Sequence, residues 1–329
     1  MSTDLKPTYT EKGKAFERDM RYLPDRITAE PGRSQDPWPG AAVPEGVPTR
    51  PVEPGRYRLI AAKACPWANR AIIVRNLLGL QDVISMGLAG PTHDKRSWTF
   101  DLDPDGVDPV LGIERLQQAY FAREADYPRG ITVPAVVDVP SGAVVTNDFP
   151  WITHDFFFEW REFHKPDAPN LWPAEVREEM EEVMHRIFTE VNNGVYRCGF
   201  AGSQDSYNAA YDRLWTAMDF LEERLADRRY LMGDAITEAD VRLFTTLARF
   251  DPVYHGHFKC NRQKLIELPN LWGYARDLYQ TPGFGETIDF EQIKKHYYIV
   301  HTDINPSGIV PKGPEEGVWL EPHDRARLG

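Results

Sequence analysis

The chain has 329 residues, 42% of them hydrophobic and 27% charged, with a formal net charge of −12 at pH 7. Such a length exceeds the ~100 to 200 residues of one domain, so two domains with additional arms are expected, and the composition is that of a globular protein rather than a disordered or fibrous one. The acidic balance argues against nucleic acid and anionic membrane as partners, no apolar run approaches a membrane span, and MSTDLKPTYTEKGKAFERDM has no secretory-signal pattern, which together predict a cytoplasmic protein.

Residues 1–54 are polar and dense in Pro and Gly, as in AEPGRSQDPWPGAAVPEGVPTRPVEPG, and are expected to form an arm laid over the folded body. Residues 55–160 change pattern. YRLIAA reads as a strand and WANRAIIVRNLLGL as a helix. ITVPAVVDV and AVVTN read as strands joined by the turn PSG, and WITHDFFFEW as a second helix. Strands alternating with helices predict a small α/β domain. Residues 170–329 are almost entirely of helical pattern: AEVREEMEEVMHRIFTEVNN, SYNAAYDRLWTAMDFLEERLADR, TEADVRLFTTLARFD and LPNLWGYARDLYQTPG each carry apolar residues at helix spacing. Before the third of these, Thr237 is placed to cap the helix and Asp240 to reach back to it. This is folding chemistry, worth ~1 kcal/mol, rather than catalysis.

The three cysteines, Cys65, Cys198 and Cys260, are odd in number and widely spaced, which argues against a disulfide framework. Cys65 stands where a strand gives way to a helix. There the unpaired amides and the positive end of the helix dipole favour thiolate over thiol. A drop of two units from a pKa near 8.5, about 2.7 kcal/mol, would make such a thiol mostly anionic at neutral pH. Pro66 suits the first helical turn, where its missing N–H costs nothing. The competing reading is a buried structural cysteine at a strand end. HGHFKC brings His255, His257 and Cys260 close in sequence, but three ligands without a fourth at a characteristic spacing point away from a metal site. No metal is expected.

A strand, then Cys65-Pro66-Trp67-Ala68, a helix, a later strand opened by Thr132-Val133-Pro134, and an all-helical partner resemble the glutathione transferase superfamily. The fold class that this implies is a thioredoxin-like α/β amino-terminal domain followed by an all-α carboxy-terminal domain. It also implies that Pro134 is cis and that the main chain of Val133 pairs with the peptide-like part of a bound thiol. FERDMRYLPDRIT, GPTHDKRSWTFD, NNGVYRCGFA, ITEADVRLFTTLARFDPVYHGHFKCN, LPNLWGYARDLYQTPGF and IKKHYYIVHTDINPSGIVPKGP are similar to the glutathionyl-hydroquinone reductases, the Xi class, from about residue 16 to about residue 314.

The resemblance implies that Cys65 attacks the sulfur of a thiol-conjugated hydroquinone, the hydroquinone leaves, and a second low-molecular-weight thiol resolves the mixed disulfide. Ala68 leaves no C-x-x-C partner, so the residues support a monothiol course. Trp67, Trp98, Val133, Pro134, Asp148 and Phe149 would bind the thiol. Tyr196 and Tyr297 or Tyr298 would serve the hydroquinone as proton donors, with His296 close by. The partners implied are a small-molecule thiol and quinone conjugates, in a homodimer.

Two stretches depart from the family pattern. A Glu-Ser or Gln-Ser pair usually holds the γ-glutamyl head of glutathione, whereas Asp148-Phe149 stands here, and Asn69 replaces a usual histidine. Phe149 has no side-chain donor for a carboxylate, and a site built to bond a charged group loses affinity when the donor is missing. The co-substrate is therefore glutathione or a substitute without the γ-glutamyl head, such as mycothiol. A second function would use the same Cys65: reduction of protein mixed disulfides, as in omega-class relatives and glutaredoxins.

Overall fold

The computed structural model describes residues 10–94 and 96–329, so the first nine residues of the expected arm lie outside the described ones. These residues divide into two units, residues 20–168 and residues 10–19 with 169–329.

In the first unit, β1 (Arg26–Thr28) and β2 (Thr49–Pro51) pair in parallel as a small separate sheet. The main elements follow: β3 (Tyr57–Ala61), α1 (Pro66–Leu78), β4 (Ile84–Leu88), α2 (Leu116–Arg123), β5 (Ala135–Asp138), β6 (Ala143–Thr146) and α3 (Phe149–Phe158). The sheet order is β4-β3-β5-β6, with β3 and β4 parallel and β5 antiparallel to both β3 and β6. The parallel pair needs a crossover, which α1 supplies. All five residues of β3 are buried, as expected of a central strand covered on both faces. All residues of α1 but Asn76 are buried, so the helix is enclosed, and each buried Ile or Leu contributes roughly 1.5 to 3 kcal/mol. Gly79 ends it in the left-handed region at φ 77°, where a side chain would be strained.

The sequence reading missed β4 and α2, and the reason is physical. In β4 only Ile84 and Gly87 are fully buried, and α2 is two turns long with three buried residues, so neither carries a clear apolar period. Residues 20–54 are held firmly to this unit. Pro24 bridges Thr146 at the β6 edge, and the Leu23 amide donates to Asn147 Oδ1 at 2.8 Å. Arg26 Nε donates to both carboxylate oxygens of Asp155 on α3, at 2.9 and 2.8 Å. Covering an exposed strand edge in this way removes unpaired backbone groups that would otherwise invite aggregation.

The second unit contains α4 (Arg177–Arg186), α5 (Gly194–Gly199), α6 (Gln204–Arg224), α7 (Glu238–Leu247), α8 (Pro269–Gln280) and α9 (Phe290–Val300). Two π-helical turns interrupt it: Ile187–Asn192 continues α4, and Phe250–Tyr254 follows α7. At the start of α7, Asp240 Oδ2 accepts the Thr237 amide at 2.7 Å and the Thr237 hydroxyl at 2.9 Å, which is the expected cap. The carboxy-terminal tail packs back on this unit, Trp319 lying 4.8 Å from Trp272 and 5.1 Å from Tyr279. Among the described residues no helix is long and apolar enough to cross a membrane.

Candidate active site

The turn that leaves β3 places Cys65 as the residue capping α1. Its amide donates to the Ala62 carbonyl at 3.0 Å, its backbone is extended at φ −82° and ψ 121°, and its carbonyl accepts the Asn69 amide at 3.0 Å. The thiol is partly exposed and donates to the Val133 carbonyl at 3.5 Å, directly before the cis Val133–Pro134 bond. The sulfur thus sits between a helix amino terminus, which favours its anion, and the end of a neighbouring strand. Cys198 and Cys260 are free and buried in the helical unit, and burial, with the adjacent Cys198 thiol, pushes Cys260 well above the ordinary thiol range. Of the three, Cys65 is the one with access to a reagent.

Phe149, in the first turn of α3, is 4% exposed. It packs on Trp67 at 4.6 Å and edge-on to Tyr22 at 5.5 Å. The Arg70 guanidinium lies 4.6 Å from the Trp67 ring centre and 5.6 Å from that of Phe149. The position that a hydroxyl would occupy is therefore part of an aromatic and cationic wall. Asp148 caps α3 from a half-buried position, and burial raises its carboxyl to about 6 against the opposing pull of the Trp151 amide and the Arg26 guanidinium. Trp98 is carried by a loop that Asp94 folds. Asp94 accepts Arg115 Nε at 2.7 Å and the Ser97 amide at 3.1 Å, and the Trp98 carbonyl accepts the first amide of α2, from Leu116, at 3.0 Å.

In the helical unit, Tyr196 on α5 shares a hydrogen bond with Tyr297 on α9 at 2.7 Å, and Tyr297 shares another with Tyr254 at 2.9 Å. Tyr254 is also hydrogen-bonded to Tyr196, so the three hydroxyls form one mutually bonded cluster. Tyr254 is 0% and Tyr297 1% exposed against 9% for Tyr196, which makes Tyr196 the outermost member of the cluster. Burial pushes Tyr254 and Tyr297 well above the ordinary phenol value, and the Tyr196 oxygen raises both further, while the buried Arg249 guanidinium opposes the shift.

Of the two tyrosines left open by the sequence, Tyr297 joins Tyr196. Tyr298 instead donates to the Pro252 carbonyl at 3.3 Å and packs on His257 at 4.5 Å. The half-buried His296 lies edge-on to Tyr297 at 5.4 Å. Tyr254 and Arg249 were not anticipated. Their one signal in the sequence is the break in helical period at Pro252, which the π-helical turn absorbs, and such turns are frequent at functional sites. His257 faces His301 at 3.2 Å, and among the described residues no three His, Cys, Asp or Glu side chains are grouped to hold a metal ion.

Residues 64–154 match the family model described as glutathione S-transferase, N-terminal domain, and residues 204–277 match the one described as glutathione S-transferase, C-terminal domain. The chain is 37% identical to the glutathionyl-hydroquinone reductase YqjG of Escherichia coli over 315 residues, which is 95% of this chain and 93% of that protein. A glutathione-bound structure of YqjG superposes with a TM-score of 0.82 over 92% of this chain and 98% of that one, at 37% identity. A glutathione transferase structure from Gordonia bronchialis is 66% identical, with a TM-score of 0.86 over 94% of this chain and 92% of that one. The Xi glutathione transferase of Phanerochaete chrysosporium is 36% identical, with a TM-score of 0.86 over 97% of this chain and 98% of its own.

Proposed function

The chain belongs to the glutathione transferase superfamily, in its Xi class of glutathionyl-hydroquinone reductases, and from that premise we propose that it removes a low-molecular-weight thiol from S-conjugated hydroquinones through a mixed disulfide at Cys65. The Cys65 thiolate attacks the conjugate's sulfur and forms an S–S bond. The carbon–sulfur bond breaks, its electron pair goes to the ring carbon, and that carbon takes a proton. A second thiolate then attacks the mixed disulfide, releasing the symmetrical disulfide and restoring Cys65. The conjugate is reduced to free hydroquinone, and its sulfur leaves joined to that of the one free thiol consumed, as the disulfide.

The observation that carries this reading is the chain of three phenols, because a ring carbon accepting an electron pair needs a proton source, which simple thiol–disulfide exchange does not. Tyr196 supplies the proton, and Tyr297 and Tyr254 share the charge left behind. Arg249 favours the same anionic state of the phenols.

The packing of Phe149 against Trp67 favours a co-substrate without the γ-glutamyl carboxylate and ammonium, such as mycothiol, over glutathione. The aromatic faces of Phe149 and Trp67 suit a neutral sugar face, and neither ring carries the hydroxyl donor that a γ-glutamyl carboxylate would meet at position 149.

Intact-protein mass spectrometry tests both levels, on the reduced protein and on Cys65→Ser, exposed in parallel to the glutathione and mycothiol conjugates of 1,4-benzohydroquinone. An adduct from the mycothiol conjugate, absent in the variant, supports the full reading. An adduct from the glutathione conjugate alone retains the reaction and rejects the alternative thiol. No adduct from either, with an adduct from a glutathionylated protein, would sink the hydroquinone reading in favour of protein mixed disulfides.

A further inference from the structure

Residues 10–19 form a strap on the helical unit, apart from the rest of the amino-terminal segment. The Gly13 amide donates to the Gly202 carbonyl at 2.8 Å, and the Gly202 amide donates to the Lys14 carbonyl at 2.9 Å. A Cβ at Gly202 would come within 1.9 Å of the Glu11 carbonyl oxygen, so this close approach requires glycine. Past this anchor the strap turns onto α5. Phe16 stacks with Tyr196 at 6.2 Å and meets Phe200 at 5.3 Å. The half-buried Arg18 donates its Nε to Asn193 Oδ1 at 2.6 Å, and its guanidinium carbon lies 4.8 Å from the centre of the Tyr196 ring.

We propose that Arg18 is a positioning residue for Tyr196, through which the amino-terminal strap takes part in the reaction. The inference rests on the reading of Tyr196 as proton donor given above. Asn193, to which Arg18 is bonded, is the buried residue that begins α5, the helix carrying Tyr196. Arg18 therefore fixes the ring twice, once through the helix start and once through its face, while Tyr297 fixes the hydroxyl. A cation over the ring also opposes the charge that forms when Tyr196 gives up its proton, at a site where low polarity strengthens the effect. The Arg249 guanidinium likewise opposes the rise of Tyr254 and Tyr297.

The test compares Arg18→Met, Arg18→Lys and Tyr196→Phe by single-turnover hydroquinone release, using whichever benzohydroquinone conjugate loads Cys65. Iodoacetamide alkylation of Cys65 and thermal midpoints are measured alongside. Arg18→Met is expected to slow release about tenfold, the scale of a desolvated cation–π contact, with Cys65 alkylation unchanged and most of the rate regained in Arg18→Lys. Wild-type release by Arg18→Met, with slow release by Tyr196→Phe, would overturn the role of Arg18 alone. Equal losses in the Met and Lys variants with a lowered midpoint would also overturn it, by reducing Arg18 to a structural tie. Wild-type release by Tyr196→Phe would remove the proton-donor reading itself, and this inference with it.

Discussion

In the first unit main-chain groups hold the reactive sulfur: a turn carbonyl, a helix start and the Val133 carbonyl meet Cys65. In the helical unit the phenols are placed by one another and by two π-helical turns, one just before α5 and one ending on Tyr254. A site held by backbone tolerates change in the surrounding side chains, whereas a site held by hydroxyls loses its arrangement when one of them is removed. The two halves of the reaction should therefore fail differently.

The largest effect is expected for Cys65→Ser, which removes the nucleophile but keeps the cap geometry. Hydroquinone release should fall by at least about a thousandfold, with no covalent adduct and an unchanged fold by circular dichroism. Residual release above that level would mean that the helical unit acts without the thiol, and the division of labour would be wrong.

Next come the paired tyrosines. Tyr297→Phe removes a hydroxyl that bonds both Tyr196 and Tyr254 in a fully buried place, which should cost about 1 to 3 kcal/mol of stability and slow release roughly a hundredfold. Tyr298→Phe removes only a long bond to a carbonyl and should keep release within about twofold and stability within about 1 kcal/mol. Similar losses in both variants would show that the hydrogen-bonded row is not what matters on α9.

How much of this the residues reveal on their own follows the same divide. Cys65 was legible because strand end, proline and helix pattern are local signals, and the capping pair Thr237 and Asp240 was legible for the same reason. Tyr196 and Tyr297 stood out through resemblance, but nothing local separates Tyr297 from Tyr298, since adjacent helical residues differ by about 100° in direction and the choice depends on what packs against α9. Tyr254 and Arg249 are brought in by a π-helical turn that no apolar period announces. The residues after the strap, expected as an arm laid over the folded body, are fixed by ion pairs such as Arg26 with Asp155, whose partners lie more than a hundred positions apart. Propensity carries no information over that distance.

The smallest effect separates the candidate thiols at Asp148, a proposed thiol-binding side chain whose charge changes in an accessible range. Its carboxyl, ordinarily near 3.8, is raised to about 6 by burial, so the folded protein keeps a proton that the unfolded chain has lost between those values. Stability therefore falls as pH rises from about 4 to about 6, by about 1 to 2 kcal/mol for a partly exposed group, and Asp148→Asn should flatten that slope in thermal melts. Binding carries the opposite sign for a ligand with an ammonium. S-methylglutathione, which cannot react at Cys65, should bind several-fold more tightly as Asp148 ionises between about pH 5 and pH 7, and Asp148→Asn should abolish that rise. S-methylmycothiol has no ammonium to meet the carboxylate and should bind with little change over the same range. Calorimetric titrations of both ligands at three pH values decide the matter: a rise for glutathione that Asp148→Asn leaves intact would place the titrating group elsewhere and remove Asp148 from the thiol wall.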